Sequence, residues 1–124
     1  MSVAILRQGD VVIASIQSDL SDTEVIELRQ ELTELVGRHR LGGIVIDVGA
    51  LDVIDSFVTR ALRAIVLTAR LRGAETIIVG IAPDVAIAMV QFGLNLEPLR
   101  VALDLDQALA MLALRDRRGT EDGR

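Results

Sequence analysis

The sequence contains no cysteine, lysine, tryptophan or tyrosine, and its only histidine is His39. Without cysteine there is no disulfide, no thiolate nucleophile and no cysteine-based metal site. Without lysine, all 13 basic residues are arginine, which excludes Schiff-base chemistry and a P-loop, whose phosphate-binding lysine is missing. With an aromatic share of 2%, the chain has almost no ring surface for stacking on bases.

Positive charge is also scarce, because the formal net charge is −5. A nucleic-acid-binding domain would show a basic face, so the charge argues against that class of partner. The longest apolar stretch, 76–92, is interrupted by Gly80, Pro83 and Asp84 and predicts no membrane span. The N-terminus, MSVAILRQGD, lacks the basic and long apolar regions of a signal peptide. We therefore expect a cytoplasmic protein whose partners include neither nucleic acid nor a membrane.

Apolar side chains, by contrast, are abundant: 51% of the residues are hydrophobic and the mean hydropathy is +0.46. A chain of this length forms one domain and buries about two thirds of the surface that its unfolded chain exposes. The other apolar groups must lie at the surface or in interfaces, and large exposed apolar patches usually mark association sites. The composition predicts a protein that assembles with itself or with others.

Short apolar runs alternate with amphipathic segments along the chain. VAIL and VVIASI flank the turn RQGD and predict a hairpin, GIVIDV and TIIVGI predict buried strands, and LRVA predicts a short last strand. Four helical patterns lie between or after them, and two open with capping boxes, Ser21 with Glu24 and Asp104 with Gln107. This order predicts an α/β fold with a mixed, mainly parallel sheet of four to five strands covered by about four helices.

The last helical pattern ends near Leu114, and the residues after it contain no apolar side chain. We therefore place the domain at 1–114 and expect the tail, 115–124, to be disordered.

The stretch VIDVGALDVIDSFVTRAL, residues 45–62, joins a buried strand to a helix predicted over 56–72, and it contains one serine and three aspartates. A serine nucleophile needs a base, usually histidine, but His39 lies at the far end of the preceding helix and the GxSxG elbow is absent. Paired carboxylates or a metal held by three aspartates are patterns of low specificity. We expect no catalytic residue, no metal, no cofactor and no enzyme activity.

Asp55 and Ser56 both suit the start of this helix, and either side chain can cap it. If Asp55 is the N-cap, Ser56 is the first helical residue and its hydroxyl points to solvent. A phosphate there would meet free backbone N–H groups and the positive end of the helix dipole, one turn from Arg60. The spacing makes Ser56 a candidate phosphoacceptor, although capping alone is the simpler interpretation.

Four segments, VVIASIQSDLSD, GIVIDVGALDVIDSF, ARLRGAETIIVGIAPDVA and ALDLDQALAML, together resemble the STAS domain of anti-sigma factor antagonists. Within that family the chain resembles the single-domain stressosome scaffolds of the RsbS type. In simple antagonists a Gly-Leu pair follows shortly after the acceptor serine, whereas Phe57 and Val58 stand in that region here, which favours the scaffold. The related RsbR-type scaffolds carry an added N-terminal sensory domain, for which 124 residues leave no room.

The resemblance implies a non-enzymatic scaffold in a bacterial stress-signalling pathway, one that associates with itself and with RsbR-type proteins. It implies that a serine/threonine kinase of the RsbT type is sequestered, phosphorylates Ser56 (with Thr59 as a weaker candidate) and is released, and that an RsbX-type phosphatase resets the scaffold. The implied kinase-binding surface consists of Asp47, Asp52, Asp55, Phe57 and Arg60. Two alternatives are a free antagonist that binds an anti-sigma kinase when unphosphorylated, and a small-ligand-binding α/β domain.

Overall fold

The computed structural model describes residues 2–52, 54–91 and 100–122. Within them the chain forms, in order, β1 (Val3–Gln8), β2 (Val11–Ile16), α1 (Asp22–Arg38), β3 (Gly43–Asp47), α2 (Ser56–Leu71), β4 (Glu75–Val79), α3 (Pro83–Gln91), β5 (Arg100–Ala102) and α4 (Leu105–Asp122). The strands form one sheet in the order β1-β2-β3-β4-β5. Among the described strands, β1 and β2 pair antiparallel and the other neighbouring strands pair parallel. The predicted mixed, mainly parallel α/β fold is therefore confirmed.

The hairpin of β1 and β2 closes through a Gly-Asp pair, because Gln8 and Val11 are partners in the register. Gly9 takes a φ of 63°, a left-handed conformation that glycine adopts without steric penalty. The predicted hairpin turn is therefore confirmed.

Alternation along the central strand β3 divides the core between two faces of the sheet. Ile44 and Ile46 belong to the larger cluster, which includes most of the buried residues of α1 and α2, whereas Val45 packs in a smaller cluster with Ala108 and Leu112 of α4. All three β3 residues are completely buried. A strand buried on both faces has to be continuously apolar, and this explains the run of β-branched residues in its sequence.

The predicted capping box at the start of α1 is present. The Glu24 N–H donates to Ser21 Oγ at 3.2 Å, and the Ser21 N–H donates to Glu24 Oε1 at 3.1 Å. The hydrogen bond from the Ser21 backbone holds the pKa of the Glu24 carboxyl below its ordinary value. At the start of α4 the box takes a shifted form, because Gln107 Oε1 accepts from the N–H of Leu103 rather than from that of Asp104.

The structure differs from the sequence prediction at the end of α4, which continues to Asp122 instead of stopping near Leu114. The segment 115–122 contains no proline, and backbone hydrogen bonds need no apolar surface, so a helix can continue where a packed core cannot. In the sequence, the helical pattern that begins near Pro83 ends at Gly93, a position outside the described residues. None of the helices in the described part of the chain combines the length and apolar character that a membrane crossing requires.

Candidate functional site

The candidate site lies at the carboxyl end of β3, where a loop leads into α2. The parallel strands β2 and β4 flank β3 and end at the same edge of the sheet. Residues that follow these strands therefore converge, which is why sites in open parallel sheets form at this edge.

Asp55, not Ser56, caps α2. Its Oδ1 accepts from the N–H of Val58 at 2.9 Å, and its carbonyl accepts from the N–H of Thr59 at 3.1 Å. Ser56 is consequently the first helical residue, and it is half-buried. Within the described residues its hydroxyl has no hydrogen-bond partner, so this serine has no capping role there.

Thr59 is fully buried, and its Oγ1 donates to the Asp55 carbonyl at 2.9 Å. A kinase could reach this hydroxyl only by unwinding the first turn of α2, so the folded structure argues against Thr59 as an acceptor. Thr59 was predicted as a weaker acceptor candidate and not as a core residue. Its spacing of three and seven residues from Leu62 and Val66, both buried, was the signal that it faces the core.

Two of the loop's anchors are carboxylates. Asp47 Oδ1 accepts from the Gly49 N–H at 2.9 Å, and Asp19 Oδ1 accepts from the backbone N–H of Asp52 at 3.1 Å. Asp47 is half-buried and, through its hydrogen bond from Gly49, acts as a turn residue, while Asp52 and Asp55 are exposed. Asp19 was not among the predicted site residues, although it follows β2 closely just as Asp47 ends β3.

The aspartates do not assemble a metal centre. Among the described residues there is no group of three His, Cys, Asp or Glu side chains placed to hold a metal ion. His39 is the C-cap of α1, at the opposite edge of the sheet from Ser56, and its Nδ1 lies 3.0 Å from Arg7 Nη1. The histidine is thus not positioned to act as a base toward Ser56.

Two glycines bring the loops after β3 and β4 into contact. Gly80 has a φ of 85°, and a Cβ added to it would lie 2.9 Å from Gly49 Cα and 3.2 Å from Asp47 Oδ1. The Val48 N–H donates to the Val79 carbonyl at 2.9 Å, which extends the strand pairing up to this contact. The path of the loop that precedes Ser56 therefore depends on the absence of a side chain at Gly80.

The other predicted surface residues border a groove between α1 and α2. Phe57 is half-buried and Arg60 is exposed, and both line a cavity of about 270 Å³. The remaining lining residues are Ala61 of α2 and, from α1, Val25, Ile26 and Arg29. The structure thus joins Phe57 and Arg60 to a part of α1 that sequence reasoning did not connect with the site.

Asp55→Ala should lower the free energy of unfolding by about 1 kcal/mol, because the Val58 N–H loses its cap. Asp52→Ala is the matched control, since it removes the same charge from the same loop while the backbone N–H that binds Asp19 is retained. We expect the control to change stability by less than about 0.5 kcal/mol. Urea unfolding of both variants measures the difference, and equal losses would contradict the capping role of Asp55.

The comparison with protein families agrees with the fold. The sequence model of the STAS domain matches residues 2–108. RsbT co-antagonist protein RsbRD of Bacillus subtilis (strain 168) is 30% identical over 81 residues, which are 65% of this chain. The matched region spans 29% of that protein's length.

Solved structures are similar over nearly the whole chain. Moorella thermoacetica RsbS, with one serine replaced by glutamate, is 36% identical with a TM-score of 0.85, over 94% of this chain and 99% of that one. A chain from a structure of the stressosome, described as a signal integration and transduction hub, is 35% identical with a TM-score of 0.76, over 92% and 99%. The anti-sigma factor antagonist SpoIIAA in its unphosphorylated form shares the fold, with a TM-score of 0.75 at 15% identity over 90% and 96%.

Proposed function

Since the chain belongs to the STAS domain family, we propose that it is a stressosome scaffold subunit of the RsbS type, which holds a serine/threonine kinase and releases it when Ser56 is phosphorylated. The observation that carries the proposal is the state of Ser56. It is the first residue of α2, outside the cap that Asp55 provides, and its hydroxyl is unpartnered within the described residues.

The comparisons support a scaffold more than a free antagonist. The RsbS and stressosome chains match at 36% and 35% identity, whereas SpoIIAA matches at 15% and informs on the fold alone. RsbRD is named a co-antagonist of RsbT, which favours an RsbT-type kinase as the partner.

In the proposed cycle the kinase docks on Asp47, Asp52, Asp55, Phe57 and Arg60 and transfers a phosphoryl group from ATP to Ser56 Oγ. The phosphate adds about −1.5 to −2 charges at neutral pH beside Asp52 and Asp55. The kinase then leaves to act on a downstream partner in a bacterial stress-signalling pathway, and an RsbX-type phosphatase hydrolyses the phosphoserine. The scaffold itself catalyses no step.

Co-assembly with RsbR-type proteins and with further copies of this chain is supported by its exposed apolar surface. Large hydrophobic side chains are exposed on several elements rather than in one loop. Burying such groups against neighbouring subunits stabilises an assembly in proportion to the apolar area removed from water. The most exposed are Leu6, Leu71, Ile87, Leu103 and Leu114.

The test is to mix the protein with an RsbR-type scaffold, an RsbT-type kinase and ATP, and to map phosphosites by mass spectrometry. We expect phosphate on Ser56, none on Thr59, and loss of incorporation in Ser56→Ala. Ser18→Ala is the control, because Ser18 is another exposed serine at the same edge of the sheet. Full incorporation into Ser56→Ala would exclude Ser56 as the acceptor.

Light scattering of the same mixture separates the scaffold from the free antagonist. A scaffold should form, together with the RsbR-type protein, a particle far larger than a dimer. A protein that is phosphorylated on Ser56 but stays monomeric or dimeric at every mixing ratio would instead be an antagonist.

A further inference from the structure

The groove between α1 and α2 has an apolar floor next to the acceptor serine. Phe57 directly follows Ser56, and it lines the groove together with Val25, Ile26 and Ala61. Val25 is buried, whereas Ile26, a large hydrophobic residue, is 39% exposed. The floor therefore offers apolar contact area that the domain itself does not cover.

Two arginines, Arg29 of α1 and Arg60 of α2, stand at the rim of this groove, and both are exposed. Neither forms a salt bridge within the described part of the chain, where the recorded ion pairs are Arg38 with Glu34 and Arg100 with Glu75. Guanidinium groups bind carboxylates bidentately, and arginine is enriched at protein interfaces. The groove is thus complementary to an apolar side chain flanked by carboxylates.

We propose that this groove is the anchoring site of the kinase, which inserts an apolar side chain over Ile26 and Phe57 and pairs carboxylates with Arg29 and Arg60. The inference rests on the proposed function and extends the docking surface onto α1. An enzyme held there is positioned next to Ser56, because Phe57 directly follows that serine and Arg60 lies one turn after it on the same helix.

The same geometry links phosphorylation to release. A phosphate on Ser56 lies one turn from Arg60 and competes with the kinase carboxylates for its guanidinium group. It also repels those carboxylates directly. Arg60 thus contacts either the kinase carboxylates or the phosphate on Ser56, so phosphorylation of Ser56 weakens kinase binding.

Two α1 variants, Ile26→Ser and Arg29→Glu, test the groove while leaving α2 unchanged. With an RsbT-type kinase that phosphorylates the parent protein, we expect the KM for Ser56 phosphorylation to rise at least tenfold and kcat to stay within about twofold. Kinase affinity of the parent should fall with added salt more steeply than that of Arg29→Glu. Arg70→Glu, an exposed arginine in the last turn of α2, is the matched control and should leave the KM within about twofold.

Circular dichroism identifies any variant that does not fold. Ile26→Ser removes apolar contact without changing charge, whereas Arg29→Glu reverses a charge, so the two variants weaken kinase binding for different reasons. Unchanged KM values in both folded variants would contradict the groove as the kinase-anchoring site, while the proposed role of Ser56 would stand. Loss of self-association without loss of kinase binding would also overturn it, by assigning the groove to a second copy. If the kinase does not phosphorylate the parent protein at Ser56, both the proposed function and this inference are wrong.

Discussion

Ser56→Asp is expected to bind the kinase at least tenfold more weakly than the parent, or by about 1.4 kcal/mol, while its fold and melting temperature stay close to those of the parent. The domain tolerates the charge because Ser56 is the first residue of α2, where the helix dipole contributes about 0.3–1 kcal/mol toward an exposed anion. A docked partner that presents apolar or carboxylate surface has no such compensation, and burying an unpaired charge costs several kcal/mol.

Ser56→Asn is the matched control, since asparagine has the shape of aspartate without its charge. It should bind the kinase nearly as well as the parent does in isothermal titration calorimetry. The local-charge mechanism is wrong if Ser56→Asp retains the parent affinity or unfolds, or if Ser56→Asn loses as much affinity as Ser56→Asp.

Gly80→Ala should destabilise the protein by about 2–4 kcal/mol, from two separate causes. A left-handed conformation, here a φ of 85°, costs an alanine about 1–2 kcal/mol. The new Cβ would also lie 2.9 Å from Gly49 Cα, and the Gly49 backbone is held by its hydrogen bond to Asp47. Relief of this contact requires movement of the loop that leads to Ser56.

Gly73→Ala separates the two causes. Gly73 has a φ of 83°, but a Cβ there would have no heavy atom within 4 Å. The control therefore carries the backbone strain alone and should lose about 1–2 kcal/mol in urea unfolding. If both variants lose the same free energy of unfolding, the contact between the loops after β3 and β4 does not constrain these loops.

Features that depend on nearby residues were predictable from the sequence. The order of strands and helices follows from apolar periodicity, and the hairpin turn and the Ser21–Glu24 capping box each involve residues a few positions apart. The start of α2 at Ser56 belongs to the same class, although the sequence left open which of Asp55 and Ser56 caps it. The structure resolves that choice through the hydrogen bond from the Val58 N–H to Asp55.

The end of α4 was not predictable from apolar periodicity. A polar segment without a core-facing stripe has no periodic pattern, yet its backbone is helical to Asp122. Helix continuation depends there on backbone hydrogen bonds and the absence of proline, neither of which leaves a hydrophobic signal.

The sequence by itself determined the fold class, the helix start that bears Ser56 and the resemblance on which the proposed function rests. Only the tertiary structure joined Asp19 to the loop at Asp52, brought Gly49 against Gly80, and placed Arg29 of α1 beside Arg60 of α2. These contacts connect segments about 30 residues apart, and a single sequence does not encode such distances as a local pattern. They arise because parallel strands place successive loops at one edge of the sheet and successive helices side by side, so the proposed docking surface depends on how the elements pack.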